Sequence, residues 1–152
     1  MKLEEAIQTN KFKSEVHKAS INLLYSAWWI KTILTKELKE YGLTHEQYNV
    51  LRILKGKHPE SLCVKDIAGR MIEKNSNVPR IIDRLVIKKL VKRGTSSQDR
   101  RETNITLTGA GLSILESSTQ KVNKTISGQL NLNEEEAEQL NRLVEKMRIL
   151  EK

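Results

Sequence analysis

The chain has 152 residues, 30% of them charged, with a formal net charge of +8: enough for one domain with a modest core, too polar for a single large one. No run approaches the roughly 18 apolar residues of a membrane span, the acidic start Met1-Lys2-Leu3-Glu4-Glu5 is unlike a signal peptide, and the lone Cys63 excludes an internal disulfide framework. A soluble, cytoplasmic protein is expected. Its charge is concentrated, because residues 52–101 hold 14 Lys+Arg against 5 Asp+Glu while the remainder holds 13 against 14. A basic third in an otherwise balanced chain points to a polyanion as partner.

Val16, Leu23, Leu24, Trp28, Ile30, Ile33, Leu34, Leu38 and Tyr41 recur mostly at three- and four-residue spacings, which predicts a long amphipathic helix over 14–41. Gly42 ends it in the left-handed conformation, with Leu43 packing back on the last turn. Thr44 and Gln47 make a capping box for a second helix that turns Tyr48, Val50, Leu51 and Leu54 inward and stops at Gly56 and Pro59. A short helix from 64 to about 72 buries Val64, Ile67, Ala68 and Met71. After a polar break at Glu73-Lys74-Asn75, the next helix spans about 77–89, with Asn75 or Ser76 as cap and Pro79 in its first turn. Val78, Ile81, Ile82, Leu85 and Val86 form its apolar stripe, and Asn77, Arg80, Arg84 and Lys88 stack along a polar face. Two helices joined by a tight turn are a helix-turn-helix candidate.

Leu90-Val91-Lys92-Arg93 and Thr103-Asn104-Ile105-Thr106-Leu107 then read as two strands, with a polar, basic loop over 94–101 between them. The unit is a winged helix-turn-helix. Thr108 caps a fifth helix running toward Gly128, and Asn133 with Glu136 forms a capping box for a sixth, acidic helix ending near Leu150. The fold class expected is mainly α with a small β wing: one domain over 1–152. Residues 45–108 form the DNA-binding lobe, and 1–44 with 109–152 form a helical region able to bury its apolar faces in a second copy.

Leu43-Thr44 with Gln47-Tyr48-Asn49-Val50-Leu51, then Ile67-Ala68, Arg80-Ile81-Ile82-Asp83-Arg84-Leu85, and above all Asp99-Arg100-Arg101 followed by Leu107-Thr108-Gly109-Ala110-Gly111, resemble in order and spacing the MarR (multiple antibiotic resistance regulator) family of bacterial transcription factors. The resemblance covers about residues 20–150, and the wing signature is its most diagnostic part. It implies a homodimer built from the terminal helices, bound to a palindromic operator, usually as a repressor and released by a ligand or by oxidation. Three positions depart from the family pattern. Pro79 stands where Thr or Ser is frequent, Lys89 replaces a Gly before the first wing strand, and Cys63 replaces a Ser or Thr cap. Its sulfur is the weaker acceptor.

Arg80 is expected to read a base edge, since a guanidinium bonds O6 and N7 of guanine together, and Asn77 can do the same for adenine. Ser76, Arg84 and Lys88 are expected as phosphate anchors, which set register without reading sequence. Arg100 and Arg101 in the wing suit a narrow minor groove, and the resemblance favours one inserted and the other held by Asp99. Plainer readings compete: a solvated helix face for Arg80, a hairpin ion pair for the wing arginines, and an ion pair with Arg84 for Asp83.

Tyr25, Trp28 and Trp29 on the first long helix are candidates for the wall of an effector pocket, although aromatics at helical spacing are more often core or dimer contacts. Cys63 has no second cysteine to resolve a sulfenate. His17, His45 and His58 lack a carboxylate or cysteine at metal-ligand spacing, so no metal and no cofactor are expected. There is no phosphate-binding glycine loop, nucleophile elbow or convincing Cys, His and Asp set, hence no enzyme. The rival class is a winged-helix architectural or interaction module that holds nucleic acid without sequence preference.

Overall fold

The computed structural model describes residues 1–95 and 103–148. The expectations for Asp99, Arg100 and Arg101, and for a helix end near Leu150, lie outside the described residues. In chain order the elements are α1 (Leu3–Ile7), α2 (Glu15–Lys39), α3 (His45–Lys55), β1 (Leu62–Cys63), α4 (Val64–Arg70), α5 (Val78–Ile87), β2 (Val91–Thr95), β3 (Thr103–Leu107), α6 (Gly109–Gln129) and α7 (Glu134–Met147).

Local chemistry sets most of these boundaries. Gly42 takes φ +63°, and the bonds from Gly42 N to Lys39 O and from Leu43 N to Leu38 O close the end of α2. Thr44 and Gln47 form the reciprocal capping box of α3, and Asn133 and Glu136 that of α7. The Thr108 side chain accepts from Gly111 N to open α6. Cys63 occupies the cap position of α4 without a side-chain bond, the weak cap its sulfur implies.

The core is continuous through the helix-turn-helix and its flanks. Leu38, Val50, Leu51, Ile67, Ile82, Leu85 and Ile105 are fully buried, and Leu115 and Val122 of α6 join the same cluster. The sheet is antiparallel in the order β1-β3-β2, with Leu62 opposite Ile105 and Val91 opposite Leu107. The first strand escapes a sequence reading because two residues carry no period; its pairing with β3 spans some forty residues of chain. Helix α1 is likewise too short for a periodic signal, and α4 ends at Arg70, two residues early, because Met71 turns into the core while Ile72 stays exposed.

At the joint between wing and α6, Thr108 N bonds Leu90 O at 3.1 Å, and Thr108 Oγ1 bonds Lys89 O at 2.8 Å. Gly111 sits so near that a Cβ built on it would lie 2.1 Å from Leu90 O. The glycine of the wing signature is therefore required by backbone approach, not by φ. Against this packed centre, α7 buries none of its residues, and Leu24, Trp28, Leu132, Leu140, Leu143 and Met147 are exposed.

Candidate nucleic-acid interface

Helix α5 is held by one face and offered by the other. Val78, Ile82 and Leu85 are buried, whereas Arg80 and Arg84 are exposed on the opposite side. Neither guanidinium makes an ion pair with another described residue. Both line an open groove together with Ser76, Asn77 and Lys88 and with the start of α3. Spacing of three and four residues along the helix is what brings these side chains to one groove.

Several neighbours are committed in ways the sequence did not reveal. Asn77, not Asn75 or Ser76, caps α5: its Oδ1 accepts from Arg80 N at 3.2 Å. An asparagine reading adenine needs both its oxygen and its amide, so this cap removes half of the expected readout. Ser76 is half-buried and its hydroxyl donates to Glu73 O at 2.8 Å, which makes it a turn residue first. Lys88 Nζ donates to Gln47 Oε1 at 2.9 Å and to Gly42 O, tying the end of α5 to the α2–α3 corner. Asp83 pairs with Arg93 of β2 and not with Arg84, so its structural role stands with a different partner. That exchange leaves Arg84 unclaimed among the described residues.

A second concavity of about 660 Å³ lies between α2, α3, the turn before α5 and α6. Ile30, Leu34, Tyr48, Met71 and Val122 give it apolar walls. Tyr25, Trp28 and Trp29 do not line it. Tyr25 and Trp28 instead pack against each other, tilted by 48° with centroids 5.4 Å apart, and Trp28 faces solvent. The wall uses the Ala27-Ile30-Lys31-Leu34 face of α2, a different stripe of that helix from the one that carries the three aromatics.

At the rim of this cleft stands a cluster that no local spacing announces. Glu73 Oε1 lies 2.6 Å from Lys31 Nζ and 3.0 Å from His45 Nε2, and that same nitrogen is 3.4 Å from Glu46 Oε1. Lys31 and then His45 hold the Glu73 carboxyl below the usual carboxylate range, and Glu73 raises Lys31 in return. The three donors His45, Glu46 and Glu73 are the described residues that could share a metal ion, contrary to the impression their sequence positions give. The Lys31 ammonium already occupies the Glu73 oxygen, and the positive N-terminal end of α3 opposes a cation there. Ion pairing accounts for the cluster without a metal.

A winged helix-turn-helix with two unclaimed arginines on the open face of its second helix is a DNA-binding architecture. The MarR family model matches residues 43–103. The chain is 31% identical over 112 residues to the transcriptional regulator MgrA of Staphylococcus aureus, covering 74% of each chain. It is 29% identical over 106 residues to SarZ of Staphylococcus epidermidis, covering 70% of each. Among solved structures, the S. aureus MepR–DNA complex superposes with a TM-score of 0.72 at 29% identity, over 84% of this chain and 94% of that one. A mutant MarR from Escherichia coli complexed with operator DNA shares the fold, with a TM-score of 0.78 at 22% identity over 91% and 99%. The chain belongs to the MarR family and is a DNA-binding transcriptional regulator, not an enzyme. No described helix is long and apolar enough to cross a membrane.

Proposed function

We propose that the chain is a cytoplasmic, ligand-responsive repressor that binds a palindromic operator as a homodimer, with α5 in the major groove and the wing beside it. The observation that carries this reading is the pair Arg80 and Arg84, exposed on one face of a helix whose other face is locked into the core. Arg80, in the first turn, reads a base edge; Arg84, one turn on, anchors phosphate, with Ser76 and Lys88 adding positive or donor character at the margins. From the wing, one of Arg100 and Arg101 enters the adjacent minor groove and the other is held by Asp99. Residues 45–108 form the DNA-binding lobe, and 1–44 with 109–152 form the pairing region, where a second copy covers the exposed Leu24, Leu140, Leu143 and Met147.

The related structures in complex with DNA support the groove assignment. One structural neighbour, BpsR of Bordetella bronchiseptica, is regulated in its DNA binding by 6-hydroxynicotinic acid, which supports a small effector for this chain. Selection of bound duplexes from a random DNA library tests the reading. The expected product is one inverted repeat with half-sites about one helical turn, roughly 10 base pairs, apart. A pool with no enriched motif would instead leave an architectural binder.

A further inference from the structure

We infer that Ile87, in the last turn of α5, reads a thymine: its side chain packs on the C5-methyl group about three base pairs from the base that Arg80 contacts. The inference rests on the operator-binding reading above and adds a second, apolar determinant of sequence to it.

Helical phase puts Ile87 on the face turned outward. It follows Arg80 by seven residues, and seven steps of about 100° bring a side chain to within roughly 20° of two full turns, so the two stand in one row. Asp83 and Arg84 flank that row, one on each side. The opposite face, with Val78, Ile82 and Leu85, is buried. Ile87 is 75% exposed, against 0% for Ile82 of the same helix. Single exposed apolar side chains are common on protein surfaces, so exposure by itself decides nothing. Its place does. Helix α5 packs chiefly against α3, α4 and β2, not against the arms α2 and α7 that carry the other exposed leucines. The outward face of α5 is thus continuous with the basic groove of Arg80 and Arg84 and belongs to the DNA side of the molecule.

The chemistry of the major groove names the occupant. Among the base edges presented there, the C5-methyl of thymine is the apolar group, and the rest are hydrogen-bond donors and acceptors. An isoleucine side chain offers no hydrogen bond and gains by covering carbon. Asp83, its acidic neighbour on the same face, is held by Arg93 of β2 and does not compete for the base beneath Ile87. Helix geometry sets the distance: seven residues at about 1.5 Å each give roughly 10.5 Å, or about three base-pair steps of 3.4 Å. A helix of 10 residues is short enough to keep both its ends over the base edges of one groove. Strand β2 continues from this end of α5, so the thymine lies on the wing side of the base that Arg80 reads.

The test measures affinity of the full chain for its selected palindrome, with deoxyuridine replacing thymidine at one position per half-site at a time. This exchange removes the C5-methyl and leaves base pairing intact. For the wild type, a position about two to four base pairs to the wing side of the one relaxed by Arg80→Ala should lose about fourfold in affinity per half-site, the worth of one buried methyl-sized group. Ile87→Ala should bind the unmodified palindrome more weakly by a similar factor and be indifferent to deoxyuridine at that position. It should keep its discrimination at the Arg80 position and, because the side chain removed is exposed, its thermal midpoint. A lowered midpoint would make Ile87 a core residue. Equal losses from deoxyuridine in both proteins would assign the methyl to another side chain or to the shape of the duplex. A wild type insensitive to the exchange, or a selected site with no thymine there, would leave no methyl contact. Each of these results overturns the assignment. A wild type with no preference for any palindrome would overturn the operator reading itself, whereas the other failures with that preference intact overturn only the role of Ile87.

Discussion

At residue 89 a lysine holds φ +59°, a left-handed conformation that glycine adopts without steric cost. The bonds from Lys89 N to Val86 O and from Leu90 N to Leu85 O show why it must: they close α5 and aim the chain into β2. Glycine at this position should therefore raise stability by about 1 kcal/mol, or roughly 2–4 °C in thermal midpoint for a chain of this size. Calorimetry of Lys89→Gly checks it, and an unchanged midpoint would mean that the left-handed turn carries no strain. The residues read as a single polar face separate on the same local grounds. Asn75, Ser76 and Asn77 are all good caps in sequence, and Pro79 in the first turn is compatible with more than one start. The burial of Val78 selects Asn77. Lys88 lies on the predicted face, but a four-carbon stem lets its ammonium reach back to Gln47 and Gly42, which no helical period encodes.

Among the elements, those closed by their own sequence were legible. The capping boxes at Thr44 and Asn133, the Thr108 cap, the Gly42 turn and the strand over 103–107 all depend on residues within four positions of one another. What remained hidden depends on distant partners: β1 exists only because β3 passes beside it, Asp83 chooses Arg93, and Lys31 meets Glu73 across 42 residues. The candidate site divides in the same way. Arg80 and Arg84 were visible from helical spacing, whereas the cleft and its rim were not, because α2, α3 and the turn before α5 meet only in the fold. The wing–α6 joint lies between these cases, since its glycine belongs to a recognisable signature but its reason is tertiary. Gly111→Ala should cost roughly 1–3 kcal/mol, the range for overpacking a close contact, because the new Cβ meets the Leu90 carbonyl. Gly109→Ala, where a Cβ meets nothing within 4 Å, should leave denaturant midpoints unchanged or raise them. Equal effects at the two positions would remove backbone approach as the cause.

For the whole molecule, a packed winged centre carries two long arms, one of which buries nothing in its own chain. The exposed Leu140, Leu143 and Met147 of α7 and Leu24 of α2 make a monomer costly in water. Mass measured in solution should give twice 17.5 kDa at micromolar concentration, and a monomer that still binds its operator would refute pairing through these arms. In the proposed homodimer two α5 helices would face one side of a duplex, so each arginine is expected to act once per half-site. The most direct measurement is operator affinity against every single-base variant of the selected site, for the wild-type chain, Arg80→Ala and Arg84→Ala. Arg80→Ala should lose about 1–3 kcal/mol of discrimination at one position per half-site, while Arg84→Ala weakens all sequences alike and flattens the salt dependence. Uniform weakening by Arg80→Ala, with the base preferences of the wild type intact, would contradict base reading by α5.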